Sequence, residues 1–182
     1  MEPALTLTQR KTVADYMRLP EGTPIQLING EFVMSPSPIR AHQRISMQLS
    51  AQLYDFVKDN KLGEVYSAPF DVHLSAFDAF QPDILFVARE RLDIIHDDGV
   101  HGAPDLVVEV LSPSTAGYDL LLKKDAYERY GVKEYWIIDP KDRTLEVFEH
   151  TGSEFNNIFS GNSGSVCSKL LPKFCVDISL LF

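Results

Sequence analysis

Cysteine is nearly absent from this 182-residue chain: Cys167 and Cys175 stand alone near the C-terminus. Two cysteines are too few for the disulfide framework of a small secreted domain, and their spacing is not that of a paired CxxC zinc site. Both read as ordinary packing or surface residues in a reducing cytoplasm. Long apolar runs are missing too. Nowhere do ~18 uninterrupted apolar residues occur, and the opening stretch MEPALTLTQRKTVADYM has no apolar core of signal-peptide length. The expectation is a cytoplasmic protein without membrane spans. Basic charge is in deficit, with 17 Lys and Arg against 26 Asp and Glu and a net charge of −9. Phosphate neutralisation supplies most of the affinity of proteins that hold long nucleic acids, so tight nonspecific DNA binding is not expected here. A metal site escapes that limit, because a bound cation reverses the local sign of a carboxylate cluster. The chain also lacks GxxxxGK[ST], GxGxxG, GxSxG and HExxH, which removes the P-loop, dinucleotide, serine-hydrolase and zinc-protease readings. Its five histidines, at positions 42, 73, 96, 101 and 150, show no ligand spacing.

What is present suits one α/β domain over residues 1–182, with 45% hydrophobic residues to fill a core. Residues 5–19 read as a short helix with Thr8 as cap and apolar Val13, Met17 and Leu19. In IQLINGEFVMSPSP, Asn29 and Gly30 between apolar runs signal a two-residue hairpin, ended by Pro36 and Pro38. From Arg40 to about Asn60, His42, Ile45, Leu49, Leu53 and Phe56 recur at helical steps, so the spacing predicts an amphipathic helix closing at Gly63. The segments EVYSAPFDVHLS, DILFVA, DLVVEVL, EYWIIDP and TLEVFEH read as strands. Between the third and fourth, TAGYDLLLKKDAYERYG is a helix stopped by Gly131, the pattern of a βαβ crossover. The tail holds a Gly/Ser loop, one or two further strands and a terminal turn.

Three residues carry the chemistry. Asp83 follows Pro82 and opens the DILFVA strand, so its carboxylate sits at a strand end. Glu109 interrupts LVVEVL, where alternation puts Val107 and Leu111 on its own face and Val108 and Val110 on the other. A carboxylate inside such a run is buried and needs an ion or a cation as partner. Stepping about 100° per residue along the next helix puts Leu120, Leu122, Ala126, Tyr127 and Tyr130 on one side with Lys123 and Asp119 among them. Lys124, Asp125, Glu128 and Arg129 point away. A crossover helix lays its apolar face on the sheet, so Lys123 should face the strands bearing Glu109 and Asp83. The bland alternative is a lysine snorkelling along apolar surface to solvent. Two carboxylates suit Mg²⁺, with Mn²⁺ acceptable, and a nearby lysine suits phosphodiester hydrolysis. His42 falls on the core-facing helix stripe, as a core histidine or a catalytic one.

The runs QPDILFV, GAPDLVVEVLSPST and GVKEYWIIDP, with LINGE upstream and LLPKF downstream, resemble the Uma2 family from about Asp15 to Phe182. The resemblance implies a restriction endonuclease-like core: a mixed β-sheet flanked by helices, with an N-terminal β-hairpin. It also implies a metal-dependent endonuclease of the PD-(D/E)xK type acting on DNA. The motif falls on Asp83 and Glu109 as metal ligands, with the lysine displaced onto the next helix at Lys123, because Leu111 holds its usual place. Members commonly read YELIDGE where this chain reads IQLINGE, so Gln26 replaces a glutamate and Asn29 an aspartate, while Glu31 and His42 are retained as further catalytic candidates. If the first glutamate helps to hold metal, this copy is a catalytically impaired binding or regulatory module. Hydrolysis of a smaller phosphodiester is a third reading. By analogy with duplex-cutting enzymes of this fold, the expected assembly is a homodimer.

Overall fold

The computed structural model describes residues 10–35, 37–112 and 118–182, with the backbone alone for 118–120. Helix α1 (Val13–Tyr16) is shorter than the 5–19 span expected from sequence. Its cap is Thr12, which accepts a bond from the Asp15 N–H while the Asp15 carboxylate accepts one from the Thr12 N–H, a capping box that fixes the start. Thr8 and Pro36 lie outside the described residues.

Strands β1 (Ile25–Ile28) and β2 (Glu31–Met34) form the expected hairpin. Asn29 and Gly30 take φ of 52° and 79°, as a type I′ turn requires at both central positions. Helix α2 (Arg40–Asn60) buries His42, Ile45, Leu49, Leu53 and Val57. It ends at Lys61, in left-handed conformation, rather than at Gly63. Gly63 has another task. A Cβ there would stand 2.0 Å from the Val87 carbonyl oxygen, so glycine allows β3 (Gly63–Ser67) to lie close against β6 (Ile84–Ala88).

EVYSAPFDVHLS, read as a single strand, is two. Between β3 and β4 (Val72–Ser75) stands Pro69, which cannot donate to a ladder, and the chain there leaves one sheet for another. The remaining strands are β5 (Asp78–Phe80), β7 (Ile95–His96), β8 (Gly99–His101), β9 (Leu106–Val110), β10 (Glu134–Asp139), β11 (Thr144–His150), β12 (Phe155–Gly161), β13 (Ser165–Cys167) and β14 (Cys175–Asp177). They build two mixed six-stranded sheets, in orders β2-β1-β5-β4-β8-β7 and β12-β11-β10-β9-β6-β3, and a small hairpin β13-β14. Between the parallel pair β9 and β10 runs α3 (Lys124–Tyr130), ended by Gly131 at φ 80°. This is the expected crossover.

The second sheet is covered on both faces. Ile84, Phe86, Val108, Val110 and Trp136 pack against the α2 stripe. On the opposite face Val107, Leu111, Tyr135 and Ile137 meet Ala126 and Tyr127 of α3. Each fully buried aliphatic or aromatic side chain contributes about 1.5–3 kcal/mol, so the α2 stripe alone anchors the helix over the site described next.

The cysteines are not free packing residues. In the β13-β14 hairpin Cys167 stands opposite Cys175, and a disulfide joins them. Their proximity comes from a strand register that the spacing alone does not reveal. The inference from cysteine usage to a reducing cytoplasm loses its basis. Among the described residues no helix is long and apolar enough to cross a membrane.

Candidate active site

The antiparallel register of β6 and β9 pairs Ile84 with Val108. Asp83 immediately precedes β6 and Glu109 follows Val108 in β9, so both residues stand at the same end of this strand pair. The Asp83 carboxylate is fixed by two contacts. Its Oδ2 accepts from the Val110 N–H at 2.7 Å, and its Oδ1 lies 3.1 Å from Nε2 of His42 in the first turn of α2. Glu109 is 3% exposed. Its Oε1 accepts from the Lys123 ammonium at 3.1 Å and from the Tyr127 hydroxyl at 2.8 Å.

Lys123 is likewise 3% exposed, so it does not snorkel to solvent. Its cation pairs with the buried Glu109 carboxylate, where pairing offsets the desolvation of both partners. Asp83, Glu109, Lys123 and His42 all line one cleft of about 480 Å³, within the range of ligand pockets. Glu31 does not join them. It is exposed beside the hairpin turn, whereas the cleft takes Gln26 and Ser35 from the hairpin's other end. Gln26 is buried, donating from Nε2 to Ser35 Oγ at 2.7 Å and accepting at Oε1 from the Gln81 N–H at 2.9 Å.

Lys123 reaches the cleft from an irregular turn. Residues Tyr118–Lys123 form a π-helical segment before α3, and its wider turn shifts the phase of the side chains preceding Lys123. Hence Leu122, placed on the covered face by uniform α-helical stepping, is 45% exposed, and Leu121 is 71% exposed. Beyond the π segment the stepping holds: Ala126 and Tyr127 are buried, and Asp125 and Arg129 are exposed and pair with each other. Lys124 turns from the cleft, its ammonium 4.0 Å above the Phe148 ring. The side chains of Asp119 and Leu120 lie outside the described residues.

A family model described as "Putative restriction endonuclease", that of Uma2, matches residues 13–179. The chain belongs to the Uma2 family. Among the relatives of this Uma2 chain is "Uncharacterized protein sll1609" of Synechocystis sp. (strain ATCC 27184 / PCC 6803 / Kazusa), 26% identical over 149 residues that cover 80% of this chain and 84% of that protein. The crystal structure of "a putative nuclease belonging to DUF820" from Anabaena variabilis ATCC 29413 superposes with a TM-score of 0.79 at 21% identity, over 94% of this chain and 97% of that one. The likeness is one of fold, and it bears out the expected α/β architecture.

Two features of the Uma2 cleft were not singled out from sequence. Tyr127 bonds Glu109, and its signal was its place one helical turn after Lys123 on the same face. The Gln26, Ser35 and Gln81 network depends on contacts between distant strands, which no local pattern carries. The histidines also depart from expectation. His73, His96 and His101 are not scattered but meet at the edge of the first sheet, because β4, β7 and β8 lie side by side there.

Proposed function

We propose that this Uma2 protein is a Mg²⁺-dependent endonuclease that hydrolyses DNA phosphodiester bonds in the Asp83, Glu109 and Lys123 cleft. One observation carries the reading: a buried strand glutamate bonded by a buried lysine, with the Asp83 carboxylate lining the same cleft. Carboxylates are hard oxygen donors, each accepting at up to four lone-pair positions, so the pair fits a hard divalent ion, Mg²⁺ first and Mn²⁺ also. Asp83 and Glu109 would hold it. An ion held there would supply polarisation of the phosphodiester and a lowered pKa for an attacking water.

The remaining steps belong to the protein's own groups. Lys123, held by Glu109, orients the attacking water and offsets negative charge that grows on the phosphorus oxygens. His42 fixes the Asp83 carboxylate from α2. Glu31 takes no part. Two such clefts in a homodimer would address both strands of a duplex, and light scattering on the purified protein checks that assembly.

A second reading is favoured by Gln26, whose buried amide occupies the cleft where the resemblance gives a glutamate. An amide contributes no negative charge to an ion, and in this reading the cleft holds nucleic acid without cutting it. Calorimetric titration with Mg²⁺ tests the ion site. Weak binding in the wild type that disappears in Asp83→Ala is the expected result, since one of two ligand charges is removed. Equal binding in both proteins would put the ion elsewhere.

A further inference from the structure

A second group of metal-ligating side chains lies apart from the cleft, on the edge formed by β4, β8 and β7. Strands β4 and β8 pair in parallel with His73 opposite His101, and their rings meet edge to face with centroids 4.9 Å apart. The β7-β8 hairpin turns through Asp97 and Asp98, with His96 opposite Gly99. Asp98 Oδ1 lies 2.9 Å from Nε2 of His101, and the His96 ring lies 4.5 Å from the His101 ring.

The turn is held in place. At Gly99, where φ is 138°, a Cβ would stand 2.5 Å from the Asp71 carbonyl oxygen, so the hairpin presses directly on the chain entering β4. Nε2 of His73 lies 3.4 Å from the Asp98 backbone carbonyl oxygen, so this ring nitrogen faces the turn. One ligand atom each from His73, Asp98 and His101 lies within 4.8 Å of the other two. Donors placed ~2.0–2.1 Å from a tetrahedral ion stand about 3.4 Å apart, so side-chain rotation of roughly an ångström closes the set.

We propose that His73, Asp98 and His101 form a site for a zinc-class transition-metal ion, with His96 beside them as an additional donor. Two imidazoles and one carboxylate favour zinc, nickel or copper over magnesium, the reverse of the all-oxygen set in the cleft. None of these residues lines the cleft. The two sites are therefore separable both by ion and by mutation. A bound ion would clip the β7-β8 turn to β4, and an ion that binds only the folded chain raises its stability by mass action.

The test uses the full chain without an affinity tag, stripped of metal and titrated with Zn²⁺ by calorimetry, with thermal melts alongside. One equivalent of Zn²⁺ is expected, with a rise in Tm. Asp98→Asn, at an exposed turn, should weaken binding at least tenfold, as should His101→Ala, while Asp83→Ala binds as the wild type does. Far-UV circular dichroism establishes that each variant is folded, and Asp98→Asn alone decides the matter if a histidine variant is not. Absence of Zn²⁺ binding in the wild type, equal binding in Asp98→Asn, or loss in Asp83→Ala overturns the proposal.

Discussion

A lysine and a glutamate that are each 3% exposed and share a hydrogen bond define the cleft at the scale of single residues. Both were legible in the sequence for local reasons: Glu109 breaks an alternating apolar strand, and Lys123 interrupts the apolar face of a helix. Gln26 was legible only as a departure from the family pattern, and its place in the cleft came from tertiary contacts. Its neighbours would accept a carboxylate, since the Gln81 N–H already donates to it and the Ser35 hydroxyl can rotate to donate. Gln26→Glu should therefore raise Mg²⁺ affinity several-fold by calorimetry, and unchanged or weaker affinity would separate this position from the ion. Asp105 makes a different contribution. It is fully buried and paired with Arg91 at 2.9 Å and Lys133 at 2.7 Å. Burial alone would raise its pKa, but the Ala88 N–H bond and the two cations outweigh burial and hold it below the ordinary value. A folded pKa below the unfolded value of about 3.9 gives stability present above that value and lost as pH falls through the folded pKa. Asp105→Asn should cost about 3 kcal/mol at pH 7, and urea melts should show the gap to wild type narrowing near pH 3. A gap independent of pH would contradict the assignment.

At the scale of elements, long periodic segments were read correctly and close approaches were not. The α2 stripe and the β9-α3-β10 crossover follow from apolar spacing that one stretch of chain carries by itself. The end of α2 and the split of EVYSAPFDVHLS into strands of different sheets each depend on what lies across from them, and the π segment before Lys123 departs from uniform α-helical stepping. Gly63 illustrates the difference. It looked like a helix stop, whereas its lack of a side chain admits the Val87 carbonyl. Gly63→Ala should destabilise by roughly 2–3 kcal/mol through a backbone clash, whereas Gly152→Ala, with open space around its Cβ, should cost only about 1 kcal/mol for its positive φ. Equal melting temperatures for the two variants would remove the packing argument.

For the whole molecule, the second sheet brings Asp83 and Glu109 to one cleft, and the first sheet gathers three histidines at its edge, outside that cleft. Neither the histidine cluster nor the Cys167–Cys175 disulfide was legible, because each joins strands whose register no local signal fixes. Replacing both cysteines with serine should lower stability by roughly 2–3 kcal/mol, the scale for releasing so short a loop, and leave Mg²⁺ binding unchanged. Loss of that binding would tie the C-terminal hairpin to the cleft. With a net charge of −9, the proposed hold on DNA would depend on a cation bound at Asp83 and Glu109 rather than on a basic face. The most direct test is metal-dependent cleavage of plasmid and single-stranded DNA by the wild type, Lys123→Ala and Lys124→Ala. Lys123→Ala should abolish cleavage while still binding Mg²⁺, and Lys124→Ala should cut at nearly the wild-type rate. Equal rates in all three proteins, or no cleavage by the wild type, would contradict the account.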